Sequence, residues 1–279
     1  MPSTTLPAET AMTAGFRPKE RYAGTIYDDD SAQVYGYRGA LVPGLMLYGY
    51  MANLVAQSWG LEWVERGTMT SRSRRPVYEG DPIVIVAAAV QQDGSGRSVE
   101  MEVRDPAGNI IAIGSATLPN AKPPLPDLAD FPVLPIEKPL RPIAAGEFCA
   151  GDRFGCEPDT VTAESHAESL KDFRQTWPVY AEQGIVHVSK FAQVATHNAL
   201  GSYKLSTPSI YVAANTQHLN IARVGDTLTS SGIITDAYER KGNHYAEQRH
   251  LIIANGTTPV ALVQRISIYA ARKERVANA

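Results

Sequence analysis

The stretch that decides the fold is "YGYRGALVPGLMLYGYM", Tyr35–Met51. Two glycines stand within its first five residues, a Val-Pro-Gly follows, and from there the chain is almost wholly apolar. The spacing predicts a helix from Gly44 to about Trp59. A helix that is apolar on every side has to be covered on every side. An antiparallel sheet curling around one helix does this. Pro43 suits the entry to such a helix, and Gly44 lets another group come close to its first turn. The first N–H groups of a helix have no partner within it and carry partial positive charge, so this end is suited to polarising a carbonyl oxygen. The alternative is that Pro-Gly serves only to start the helix.

The same pattern returns further along. Displaced by 145 residues, "YGYRGALVP" (Tyr35–Pro43) falls on "YAEQGIVHV" (Tyr180–Val188), with Gly39 on Gly184 and His187 on Val42. The same displacement lays "YEGDPI" (Tyr78–Ile83) on "RVGDTL" (Arg223–Leu228). One displacement serving two patches implies an internal duplication. Each half reads as a loop, a helix (Gly44 to about Trp59; Ser189 to about Tyr203), a strand, a Gly-Asp turn and three strand-like segments. In the first half these are "PIVIVAAAVQ", "SVEMEVRD" and "IIAIGSATL"; in the second, "LTSSGIITDAY", "HYAEQRHLIIA" and "PVALVQRISIYA". β-Branched residues and period-two alternation support strands. A helix followed by consecutive strands is an antiparallel α+β layer. Between the halves, Pro119–Pro142 holds eight of the 19 prolines and reads as an extended connector. The expected organisation is therefore a first repeat over 1–118, whose residues 1–18 form a loose leader, a Pro-rich linker over 119–150 and a second repeat over 151–279.

Composition narrows the function classes. The chain has 279 residues, 44% of them hydrophobic, and a net charge of −3. No basic cluster suggests a nucleic-acid partner. No apolar run approaches the ~20 residues of a membrane span, and the N-terminus lacks the basic and apolar regions of a signal peptide. Cys149 and Cys156 have no metal-type spacing and read as free thiols of a cytoplasmic protein.

On "YGYRGALVPG", "RRPVYEGD" (Arg74–Asp81) and the strand end "AIGSATL" (Ala112–Leu118), the chain resembles the MaoC-like dehydratases in their double-hotdog form, in which two antiparallel sheets each wrap a central helix. The resemblance implies a hydro-lyase acting reversibly on 2-enoyl or 3-hydroxyacyl thioesters, usually of coenzyme A. It implies a small-molecule substrate, a homodimer and no resident cofactor or metal. It would place the thioester carbonyl at the Gly44 N–H. The family draws its Asp and His from a segment Asp-x-Asn-Pro-x-His ahead of the Gly-aromatic pair. Here that segment is "RYAGTIYDDDSAQVYGY", in which Arg21 falls at the Asp position and Ile26, or with one residue of slippage Tyr27, at the His position. A non-catalytic ligand-binding protein, a thioesterase, or a lyase on a non-thioester substrate are the rival readings.

General acid–base work needs a group within hydrogen-bond reach of the substrate. Tyr27, Asp28, Asp29 and Asp30 stand in the right segment, and His187 stands just before the second helix. The alternatives are a solvated or capping Asp cluster and a packing His. Tyr35, Tyr37, Arg38 and Pro43 would line the pocket mouth, and Tyr211 could supply a hydroxyl. Arg72 and Arg74 alternate onto one strand face, reaching either a phosphate or solvent. Asn53 and Gln57, the polar interruptions in the first helix, point to hydrogen bonds between the halves. The more polar second helix, with Lys190, Gln193, His197 and Asn198, reads as less deeply covered or as the wall of a polar pocket. His218 reads as a partly exposed strand residue. His244 and His250 share a strand face too far apart for adjacent metal ligation.

Overall fold

A computed structural model describes residues 5–16 and 23–272. Met1–Thr4, residues 17–22 and residues 273–279 lie outside it, and with them Arg21 and part of the expected leader.

The first central helix spans Gly44–Trp59, and every residue in it except Gly44 and Gln57 is buried. The second spans Ser189–Ser202. Around both runs one 13-stranded sheet. The first half contributes, in order, strands Glu9–Thr13, Pro82–Ala87, Gly96–Arg104, Ile110–Pro119 and Thr68–Ser73; the second half continues with Ile210–His218, Thr258–Ala270, Asn243–Ala254 and Thr227–Arg240. The halves join where Thr68–Ser73 pairs antiparallel with Ile210–His218, Ala214 opposite Ser71. This is a double hotdog, α+β, with a pseudo-dimer in one chain.

The duplication is visible in backbone bonds. Val42 N–H donates to Val77 C=O, and Val186 N–H donates to Ala222 C=O, 2.8 and 2.9 Å. The Gly-Asp turns match too. Asp81 Oδ2 accepts from Tyr78 N–H at 3.0 Å, and Asp226 Oδ2 from Arg223 N–H at 2.7 Å. Gly80 and Gly225 both take positive φ, 87° and 96°, which a side chain would resist. The bridges Leu41↔Tyr78 and Ile185↔Arg223 correct the constant displacement. It is 144 residues ahead of the helix and 145 after it, so Val42 corresponds to Val186. His187 is not opposite Val42; it belongs to the extra residue that the second half carries before its helix.

The loose leader is a second correction. Glu9–Thr13 pairs along the whole of Pro82–Val86, and Ala14 and Phe16 are buried. Ala14 exchanges bonds with the Gly80-Asp81 turn just as Val161 does with Gly225-Asp226. This strand is therefore part of the repeat. Its polar alternation, ETAMT, hides that role because it is an edge strand with one face in water.

The proline-rich connector is extended, as its composition requires, with one short 3-10 turn at Leu128–Asp130. Leu128 and Phe131 pack over Leu219, Leu251 and Ile253 on the outer face of the second half. Its last residues do not separate from the second repeat: Ile143 and Phe148 are buried against Phe154 and Tyr269. Cys149 is exposed and Cys156 buried, both unpaired. Among the described residues no helix is long and apolar enough to cross a membrane.

Candidate active site

The start of the first central helix meets two cavities. One, of about 240 Å³, is lined by Gly44 together with Tyr37, Ser73, Arg74 and Arg75. The other, of about 310 Å³, runs between the two central helices and is lined by Pro43, Leu45, Met46, Leu200 and Leu205, with Gln193 and His197 on its polar side. Tyr27 and Tyr211 line both cavities and so stand between them.

Each of these residues is placed by a local feature. Pro43 caps the helix at φ −55° and ψ 134°, an extended entry that Pro favours. Gly44 is required by contact. A Cβ there would lie 2.5 Å from the Tyr211 ring and 2.6 Å from Ser73 Oγ. The groups that use the closeness of Gly44 are thus the protein's own ring and hydroxyl, which frame the first turn of the helix. Tyr211 sits at a bulge of its strand, before Ala213, and its hydroxyl meets Ser71 Oγ at 3.0 Å. Tyr27 reaches the backbone of Tyr211, and burial raises its phenol above the usual tyrosine range. Burial raises Tyr211 as well. Both are therefore protonated, hydrogen-bonding phenols at neutral pH.

The other residues predicted for the site divide. Tyr37 lines the Gly44 cavity and Pro43 the apolar one; Tyr35, half-buried, lines neither. Arg38 is on the surface, its ring-stacked guanidinium 4.1 Å from the centre of Tyr78 and paired with Asp81. The Asp cluster begins a short helix, Asp29–Val34. Asp28 Oδ2 accepts from Gly24 N–H and Ser31 Oγ, and Asp29 Oδ1 accepts from Ala40 N–H at 2.7 Å. Asp30 is exposed, and none of the three lines either cavity. The capping alternative is not seen as such: Asp28 stands at the N-cap position, but its side chain accepts from no N–H of this helix, and Asp28 and Asp29 instead tie down the neighbouring loops.

His187 is 1% exposed and lines neither cavity. Its Nε2–H donates to Asn53 Oδ1 at 2.8 Å, and its Nδ1 accepts from Ser189 N–H. Phe173 stacks on it at 5.0 Å. Asn53 Oδ1 also accepts from Gln175 at 2.8 Å, and its Nδ2 donates to Phe173 C=O at 2.7 Å. Gln57 donates to Thr176. The polar interruptions of the first helix thus bind the second half, and His187 is part of that seam. Burial first, then His218 and His166, push its pKa down to about 3. His218 is fully buried rather than partly exposed; its Nδ1–H donates to Trp63 C=O at 2.9 Å, and its pKa falls to about 4.

Three residues of the site were not singled out as such in the sequence. Ser73 ends its strand beside Gly44. Gln193 and His197, one turn apart on the second helix, line the apolar cavity; the sequence offered them as polar breaks in a less covered helix or as a pocket wall, without a role at the site. Arg74 and Arg75 share the Ile111 carbonyl, 2.7 and 3.1 Å, which breaks the strand alternation. Both line the Gly44 cavity, whereas Arg72 lines a groove of about 530 Å³ on the outer sheet face. The expected shared face of Arg72 and Arg74 does not form. Among the described residues, no group of three or more His, Cys, Asp or Glu is placed to hold a metal ion.

The chain has the architecture of the double-hotdog proteins. A MaoC domain protein from Chloroflexus aurantiacus J-10-fl superposes with a TM-score of 0.63 at 15% identity, over 98% of this chain and 96% of that one. A Mycobacterium tuberculosis protein with a double hotdog fold gives 0.60 at 17% identity, over 94% and 96%. A Lactobacillus plantarum protein named for oleoyl thioesterase activity gives 0.52 at 14% identity, over 98% of each chain. The fold is thus shared by proteins named for dehydration and for thioester hydrolysis. No family model and no curated protein matches the sequence.

Proposed function

We propose that the protein is a hydro-lyase of the MaoC-like kind that adds water to, or removes it from, an acyl thioester. The observation that carries this reading is the meeting of two cavities at the Gly44 helix start, with two protonated phenols between them. The thioester carbonyl is directed to the free N–H groups of the first helical turn, whose partial charge stabilises an enolate oxygen. Arg74 and Arg75, in the cavity on that side, suit a phosphorylated carrier such as coenzyme A. The acyl group extends between the helices toward Leu200 and Leu205.

In hydration, His197 accepts a proton as the water oxygen bonds to Cβ. The π-electron pair moves toward the thioester oxygen at the helix start, and Tyr27 O–H delivers a proton to Cα. The proton then returns from His197 to Tyr27, and dehydration reverses each step. An imidazole ring nitrogen can both accept a proton and return it, which lets one residue serve both directions. His197 takes the role first considered for His187, which lines neither of these cavities.

The test is to incubate the protein with 2-enoyl and 3-hydroxyacyl thioesters, following enoyl absorbance and free thiol together. Water addition or loss without thiol release supports the hydro-lyase. Thiol release would replace it with a thioesterase. Tight binding with neither change would leave a ligand carrier.

A further inference from the structure

Of the polar residues that line the apolar cavity and that the hydration chemistry does not use, Thr196, Tyr203 and Thr207 donate to backbone carbonyls, whereas Gln193 does not. Gln193 is 5% exposed and sits in the middle of the second central helix. It lines the apolar cavity and also, on its other side, a groove of about 390 Å³ beside the helix Ala163–Asp172. Its side-chain amide makes no hydrogen bond to any described residue. An amide that lines a cavity without a protein partner loses its solvent when a ligand fills that cavity, and a ligand offering it no hydrogen bond then leaves it unpaired at a cost of about 1–3 kcal/mol; beside Leu45, Met46, Leu200 and Leu205, Gln193 is thus the group that favours a polar atom on the ligand. The neighbouring groove is unsuited to a phosphorylated carrier. Glu157, Asp159, Glu168 and Asp172 line it, and its one lysine, Lys190, is already paired with Asp159 at 2.7 Å. A carrier therefore stays on the Arg74–Arg75 side, and what reaches Gln193 is the acyl group itself.

We infer that Gln193 is a specificity residue that reads a hydroxyl or carbonyl group carried on the acyl chain beyond its reacting carbons. This rests on the thioester reading above. An amide can donate to a carbonyl or accept from a hydroxyl, so it serves either group. A site that hydrogen-bonds a substrate oxygen rejects the analogue lacking it, because its own buried group is then left unpaired. The substrate class is an oxygenated short or medium acyl thioester rather than a plain alkyl one.

The experiment compares binding of hexanoyl-CoA with its 4-, 5- and 6-hydroxy derivatives by calorimetry, on the full chain and on Gln193→Met, a variant of similar volume that keeps the helix. A second pair, naphthalene and 2-naphthol, tests the same contact without a thioester. At least one hydroxy derivative is expected to bind tenfold or more tightly than hexanoyl-CoA, 2-naphthol is expected to outrank naphthalene, and Gln193→Met should erase or reverse both orders. If the thioesters bind with no preference, or the preference survives in Gln193→Met, the inference is overturned and the thioester reading stands. If no thioester binds but the naphthol preference appears and is lost in the variant, the thioester reading falls and the Gln193 contact stands. If neither series binds, both are overturned.

Discussion

The two central helices begin in opposite surroundings. At Gly44 the first turn faces cavities, framed by Tyr211 and Ser73. At Ser189 it is sealed. His187 folds back onto Asn53, Phe173 stacks on His187, and Phe173 and Ser189 both press on Gly49, whose Cβ would lie 2.6 and 3.2 Å from them. A helix start carries the same partial positive charge in both halves, but at the second the Ser189 and Lys190 N–H groups already donate to His187 Nδ1 and to the His187 carbonyl. What differs is whether side chains or space stand before it. The first end can be spent on a ligand because the second has been filled to hold the halves together.

The sharpest break of this contrast is kinetic. Tyr27→Phe keeps the ring and removes the acid, so turnover should fall about 10²–10⁴-fold, while loss of the bond to the Tyr211 backbone costs about 1 kcal/mol of stability. His187→Gln, in the sealed end, should leave turnover per folded molecule unchanged. Equal losses in both variants, measured by initial rates, would erase the distinction.

Next in size is the seam. Asn53→Ala strands the partners at His187, Gln175 and the Phe173 carbonyl, and should destabilise the fold by about 3 kcal/mol, read from the denaturant midpoint.

Acid should act through the buried histidines, of which His187 lies at the sealed end. His187, His218 and His250 have folded pKa values depressed to about 3, 4 and 3, below the ~6.5 of an unfolded chain. Between these limits the unfolded state binds more protons. Stability is therefore full above pH ~6.5 and lost as pH falls, by about 1.4 kcal/mol per pH unit for each fully neutral buried histidine. His187→Gln should flatten that slope in urea titrations from pH 7 to 4.5; an unchanged slope would mean that His187 does not contribute to it.

The smallest effect belongs to Arg38. Its side chain is 64% exposed in its pair with Asp81. Arg38→Ala should cost at most about 1 kcal/mol and leave turnover unaltered. A large loss of activity would return Arg38 to the pocket mouth.

The repeat, both central helices and the six strand-like segments after the Gly-Asp turns were readable from the chain because each rests on local rules. Apolar residues on every face of Gly44–Trp59 demand a wrapping sheet, and positive-φ glycines mark turns. The edge strand Glu9–Thr13 escaped because its stability comes from a partner some 70 residues away, and its own residues are polar. The candidate site was only half legible for the same reason. Gly44, Tyr27, Tyr37, Pro43 and Tyr211, named from the sequence, line the two cavities at the first helix start, whereas His187 was misread by one residue of register and lines neither, and Ser73, Gln193 and His197 carried no motif.

By itself, then, the sequence determined a duplicated α+β layer with a helix start suited to a carbonyl oxygen, since periodicity, proline and glycine act over a few residues. Only the tertiary structure decided which of the two helix starts is open. That depends on which side chains from distant segments fill the space before it, and no local pattern encodes the difference between a stacked Phe173 and an open cavity.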